Sequence, residues 1–226
     1  VPPAEAAEAA SNAVAAGFRT IKVKSDGDPR NDLARLQAIR AAVGAEPRLR
    51  VDANEAWDPA TALGHLRSLE PFGVEYVEQP VRAGRFQDLV DLARSSPVPI
   101  ALDESMTGWP VVERFLEAGT RPVLILKPQR LGGPDHVLEV IESARKARLA
   151  CVVTNSLETA VGRAHALHLA SLLPQPLPDC GLATEGFLAA DAAPGPRTRD
   201  GVQELPAAPG IGVDPQVEPH ARHVRG

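Results

Sequence analysis

Thr20-Ile-Lys-Val-Lys24, Leu49-Arg-Val-Asp52, Tyr76-Val-Glu78, Ile100-Ala-Leu-Asp103 and Val123-Leu-Ile-Leu-Lys127 are five short apolar runs, each ending on a charge. The terminal charges recur at intervals of 28, 26, 25 and 24 residues. One strand, one helix and two short loops take about that length, so each interval has the size of a βα unit. A helical pattern fills the space between consecutive charges, which predicts parallel strands joined by helical crossovers. In a parallel (β/α) barrel of the TIM type all strands end at one rim, so their terminal side chains converge. Asp52, Glu78 and Asp103 then form a hard-oxygen set suited to Mg²⁺. Lysines stand on both sides of them, placed for proton transfer. Any one of these charges could simply mark where a buried strand meets solvent. Five in order and in phase argue for a site.

Working outward, the Ala-rich residues 4–16 favour helix and Gly17 stops it. Lys22 and Lys24 are two apart on a strand and share a face, opposite Val23. Asp28-Pro29 and Asp58-Pro59 each read as a helix cap followed by proline at the first helical position. Leu33, Leu36, Ile39 and Val43 follow the first cap at helical spacing, as do Leu63, Leu66 and Leu69 after the second. Asn54 shares the face of Asp52 and is a candidate substrate contact. Beyond Lys127 the loop 128–134 carries two glycines but lacks the Gly-Lys-Ser/Thr ending of a phosphate loop, which excludes nucleotide binding there. The helix after it should bury Val137, Leu138 and Ile141. A strand at 150–154 opens onto Asn155-Ser156, and a last short strand is expected at 181–184. This makes about seven strands, in a barrel domain over 1–190. Residues 191–226 are rich in proline and glycine and read as an extended C-terminal segment, its last ten residues loose.

The bulk properties narrow the classes. With 226 residues and 44% hydrophobic content the chain can bury a sizeable core. A net charge of −5, no basic run and 4% aromatics give no nucleic-acid footprint. No apolar stretch is long enough for a bilayer, so no membrane partner is expected. Cys151 and Cys180 lack ligand spacing and read as structural thiols in a reducing cytosol, a cytoplasmic placement. His165 and His168 lie near one helix face without a third ligand in reach and read as packing or solvent-facing residues.

Lys22-x-Lys24, Val-Asp52-Ala-Asn, Val-Glu78-Gln-Pro, Ala-Leu-Asp103-Glu-Ser and Leu-Lys127-Pro-x-x-Leu-Gly-Gly together resemble the enolase superfamily, specifically its muconate-cycloisomerase branch. The likeness spans roughly residues 10–190. Within the branch, the segments around Lys127, Thr154-Asn-Ser-Leu-Glu158 and Cys180-Gly-Leu-Ala-Thr184 are most similar to o-succinylbenzoate synthases. The resemblance implies Mg²⁺, or Mn²⁺, on Asp52, Glu78 and Asp103, with Lys24 as base, Lys22 beside it and Lys127 facing them. It implies a lyase that removes a proton α to a carboxylate and dehydrates its substrate to o-succinylbenzoate for menaquinone biosynthesis. Asn155, Ser156 and the backbone at Gly181 are candidates for holding the second carboxylate of this small-molecule substrate. Dipeptide epimerases of the branch usually carry Asp-x-Asp at the last strand, where this chain has Asp179 and Gly181. Epimerization, racemization or cycloisomerization by the same branch, and an inactive truncated fragment, remain the alternatives, and a homo-oligomer is left open. The resemblance also implies a missing first barrel strand and a missing N-terminal capping domain.

Overall fold

Asp28 and Asp58 set the pattern by which this chain starts its crossover helices. The Asp28 carboxylate accepts from the backbone N–H of Arg30 and opens α2 (Pro29–Val43), and that of Asp58 accepts from Ala60 N–H and opens α3 (Pro59–Leu69). Proline follows each cap, where its missing N–H costs nothing. The structure, a computed structural model, describes residues 1–214. The helices α1 (Pro3–Ala15), α4 (Phe86–Ser95), α5 (Trp109–Glu117), α6 (Pro128–Leu131), α7 (Pro134–Ala147) and α8 (Ala160–Ala170) complete the set. Among them α6 is a single turn inside the glycine-bearing loop, closed by Gly132 in the left-handed region at φ 89°. In α7 the buried stripe is Val137, Val140, Ile141 and Ala144, whereas Leu138 is 39% exposed. Val140 therefore takes the inward place expected of Leu138, because the stripe follows i, i+3, i+4, i+7 from Val137.

The strands β1 (Thr20–Lys24), β2 (Arg48–Asp52), β3 (Val74–Glu78), β4 (Ile100–Leu102), β5 (Val123–Leu126) and β6 (Cys151–Val153) form one curled parallel sheet in sequence order. Lys24 pairs with Asp52, and Asp52 with Glu78, so the charged tips lie at one level. Alternation along each strand separates two cores. Val23, Leu49, Val51, Val77, Ile100, Leu102, Leu124, Leu126 and Val153 pack under the helices. Tyr76, Ala101, Ile125 and Val152 make a smaller cluster on the opposite, concave face. Arg50 belongs to that concave face too. It lies 4.8 Å from the centre of the Tyr76 ring, with Nε donating to Glu75 Oε2 at 2.6 Å.

The seventh strand expected at 181–184 is reduced to one parallel bridge between Thr154 and Gly181. Pro178 has no N–H to offer a ladder. The carbonyl of Asp179 accepts from Arg50 and that of Leu182 from the Asn155 side chain, so side chains occupy the groups a longer strand would use. This segment nonetheless reaches the far side of the sheet. Asp179 Oδ2 accepts from Thr20 Oγ1 and from Arg48 Nη2, both at 2.6 Å. Past it, Arg199 and Val202 bridge in antiparallel fashion, and the tip between them packs on Gly17. The expectation of a loose end for the last ten residues lies outside the described residues.

Candidate active site

Each polar tip reaches the rim because its strand is apolar on the helix-facing side and has nowhere else to place a charge. Asp52, Glu78 and Asp103 are 1%, 1% and 2% exposed, on or directly after the neighbouring strands β2, β3 and β4. Three buried carboxylates in a row require compensation, and basic side chains supply it. Lys22 Nζ lies 2.8 Å from Asp52 Oδ2 and 2.8 Å from Glu78 Oε2. Lys24 Nζ donates to Asp52 Oδ2 and to Asn54 Oδ1, both at 2.6 Å, and its side chain is 63% exposed. From the other end of the series, Lys127 pairs with Asp103 Oδ2, while Arg130 Nη1 stands 3.3 Å from Asp103 Oδ1.

The electrostatics follow from this crowding. Burial lifts Glu78, and although Lys22 opposes it, the nearby Asp52 and Asp103 charges help carry its pKa up to about 7. Burial would also lift Asp52, but Lys22 and Lys24 outweigh it and hold the carboxyl below its usual value. For Lys22 burial acts downward, and Glu78 and Asp52 more than reverse it, leaving the ammonium above its usual pKa.

Asn54 lies beside these groups, its Nδ2 3.4 Å from Glu104 Oε1. Asn155 and Gly181 are differently engaged. Asn155 Nδ2 donates to the Leu182 carbonyl at 2.9 Å, and the two backbone groups of Gly181 bond Val153 and Asn155 on the β6 side. Neither the Asn155 amide nitrogen nor the Gly181 backbone is free for a substrate, whereas Ser156 is exposed. Glu104 and Arg130 were not anticipated at the site. Arg130 sits three residues after Lys127, the spacing at which one helical turn brings two side chains together, and the turn at α6 was the missing signal. Two cavities of about 360 and 470 Å³ lie along the C-terminal segment, and none of the rim lysines or carboxylates lines either.

A sequence model of the family described as "Enolase C-terminal domain-like" matches residues 5–219. The chain belongs to that family. Among curated members, the o-succinylbenzoate synthase of Thermobifida fusca is 39% identical over 199 residues, covering 87% of this chain and 61% of that protein. The N-succinylamino acid racemase of Thermus thermophilus is 36% identical over 201 residues, covering 87% of this chain and 53% of that protein. In structure, the dipeptide epimerase of Cytophaga hutchinsonii, complexed with Mg and the dipeptide D-Ala-L-Val, superposes with a TM-score of 0.88. That enolase-type neighbour is 29% identical, and the match covers 96% of this chain and 59% of the other. The chain thus spans half to three fifths of the length of these relatives. No described helix is long and apolar enough to cross a membrane.

Whether the rim residues suit a divalent cation is a question of donor chemistry. As the side chains stand, no three of the described His, Cys, Asp and Glu residues converge closely enough to share an ion. The Lys22 ammonium instead occupies the point shared by Asp52 and Glu78, and Lys127 holds Asp103. A cation-sized charge held between two buried carboxylates, with a third buried carboxylate on the next strand, describes a donor set whose chemistry fits a hard cation.

Proposed function

We propose that this rim abstracts a proton α to a carboxylate, and that the reaction is a syn dehydration yielding o-succinylbenzoate. The observation that carries the reading is the order of charges along the sheet. Two lysines on β1 and one after β5 flank three buried carboxylates from the strands between them. Asp52, Glu78 and Asp103 would hold Mg²⁺, or Mn²⁺ in its place, which when bound supplies Lewis-acid stabilisation of the substrate's carboxylate oxygens.

This chain's residues account for the rest. Lys24, the most exposed of the three rim lysines and steered by Asn54, takes the α-proton on Nζ. The C–H electron pair passes into the carboxylate as an enolate, whose charge the Lys22 ammonium offsets. The pair then returns, the adjacent C–O bond breaks, and the departing hydroxide takes the proton from Lys24 and leaves as water. Lys127, from the other end of the series, offers a cation to the face of the ring that becomes aromatic. Ser156 remains the candidate for the substrate's second carboxylate.

Racemization or epimerization is the second reading, because members with those activities share 32% and 36% identity with the chain. Against a dipeptide ammonium, the Asp179 carboxylate is already committed to Thr20 and Arg48, and residue 181 is glycine. The test is to supply Mg²⁺ and the hydroxylated cyclohexadiene carboxylate in D₂O. Formation of the aromatic product is expected, and Lys24→Ala should slow it about 10²–10⁴-fold. Deuterium entering the α-carbon of an N-acylamino acid, with no aromatic product from the diene, would replace the dehydratase reading with the racemase one.

A further inference from the structure

Gln79, the residue directly after Glu78, is fully buried and is not one of the rim charges. Its side-chain amide makes every hydrogen bond it can. Oε1 accepts from the backbone N–H of Asp103 at 3.1 Å and of Ser105 at 3.0 Å. Nε2 donates to Ser105 Oγ at 2.8 Å and to the Val81 carbonyl at 2.9 Å. The Gln79 carbonyl accepts from Glu55 N–H at 2.8 Å, and its N–H donates to the Ala101 carbonyl at 2.9 Å. One residue therefore ties together the ends of β2, β3 and β4. The backbone is strained where it does so. Gln79 has φ 39°, and Asn54 and Glu55, two and three residues past Asp52, have φ 42° and 65°. Non-glycine residues in that region persist only where their surroundings hold them, and such strain gathers at functional sites.

We propose that Gln79 is a positioning residue that fixes the separation of Glu78 from Asp103, and so sets the affinity of the rim for a divalent cation. This rests on the carboxylate assignment of the preceding subsection. The side chain begins one residue from Glu78 and ends on the amide of Asp103. Any slackening of its bonds lets β4's rim drift relative to β3's. Buried amides that orient ligating carboxylates are worth about 10–100-fold in metal affinity.

The experiment is a Mn²⁺ titration of the substrate-free chain, read by electron paramagnetic resonance, for wild type, Gln79→Met and Val112→Ala. Methionine keeps the volume and loses all four side-chain bonds. Val112 is equally buried, but it lies in α5 and has no side-chain polar group to bond the rim, so its variant reports general loosening. Gln79→Met should bind Mn²⁺ at least about tenfold more weakly, with Val112→Ala within about twofold of wild type. Equal affinity in Gln79→Met and wild type overturns the proposal, as does an equal loss in both variants. If Gln79→Met does not fold, Ser105→Ala, which removes one bond, carries the same comparison with an expected loss of about two- to fivefold. Hydrogen exchange at the Asp103 and Ser105 amides, without metal, separates the two readings. If wild type binds no Mn²⁺, the cation assignment fails. Faster exchange in Gln79→Met than in Val112→Ala still upholds the positioning role, and equal rates overturn it.

Discussion

Asp179 shows how one side chain far from the chemistry holds the site's frame. Burial pushes its carboxyl up, but the Thr20 hydroxyl and the Arg48 guanidinium outweigh this and hold it below the usual carboxylate range. A carboxyl whose folded pKa is depressed contributes stability above its unfolded value. That contribution is lost as pH falls through the folded value. Melting temperature followed from pH 6 to pH 3 should therefore drop more steeply in wild type than in Asp179→Asn. The variant should lose about 0.2–1 kcal/mol at pH 6, since the ion pair is partly open to solvent. Parallel curves for the two proteins would remove Asp179 from the account of acid sensitivity. At this scale much of the site was legible. A charge at the tip of an apolar run must emerge at a strand end, so Lys24, Asp52, Glu78, Asp103 and Lys127 could be read from spacing. Which lysine meets which carboxylate could not be, because partners 24 to 56 residues apart are chosen by sheet register.

At the scale of the element, local chemistry decides the helices. The Asp28 and Asp58 caps share no hydrogen-bond partner. Asp28→Ala and Asp58→Ala should each cost about 1 kcal/mol in urea denaturation, and the double variant their sum to within about 0.5 kcal/mol. The α5 helix depends instead on packing. Phe115 is 1% exposed and meets Phe86 of α4 edge-on, with ring centres 4.7 Å apart. Phe115→Ala should lose about 3–5 kcal/mol by the same measurement, through the cavity it leaves between α4 and α5. A loss below 1 kcal/mol would mean that the two helices collapse onto the gap. Caps and apolar stripes were legible because their partners lie within a few residues. The expected strand at 181–184 was not, because Asn155, remote in sequence, claims the Leu182 carbonyl and Arg50 claims that of Asp179 just before it.

At the scale of the whole molecule, the turn after α1 meets a turn about 180 residues later in the chain. Gly17 (φ 89°) and Gly201 (φ 71°) face each other so closely that a Cβ on Gly201 would lie 2.2 Å from the Gly17 carbonyl oxygen. Gly201→Ala should lift the 199–202 turn off the corner between α1 and β1. Backbone exchange would then be faster at residues 17–18 and 199–202, while the Asp103 and Ser105 amides stay protected. Unchanged exchange at the corner would show that the contact bears no load. Nothing local marks Gly201 for this role, since glycine suits any tight turn.

The sequence by itself determined the alternation of strand and helix, the parallel sheet and the five charges of the rim, because periodicity and capping act over a few residues. Tertiary structure alone decided that Lys22 lies between two carboxylates, that the Asn155 amide nitrogen is bonded to the Leu182 carbonyl, and that Gln79 joins three strand ends. Each of those outcomes depends on groups that meet only once the sheet has curled and its strands have settled into register.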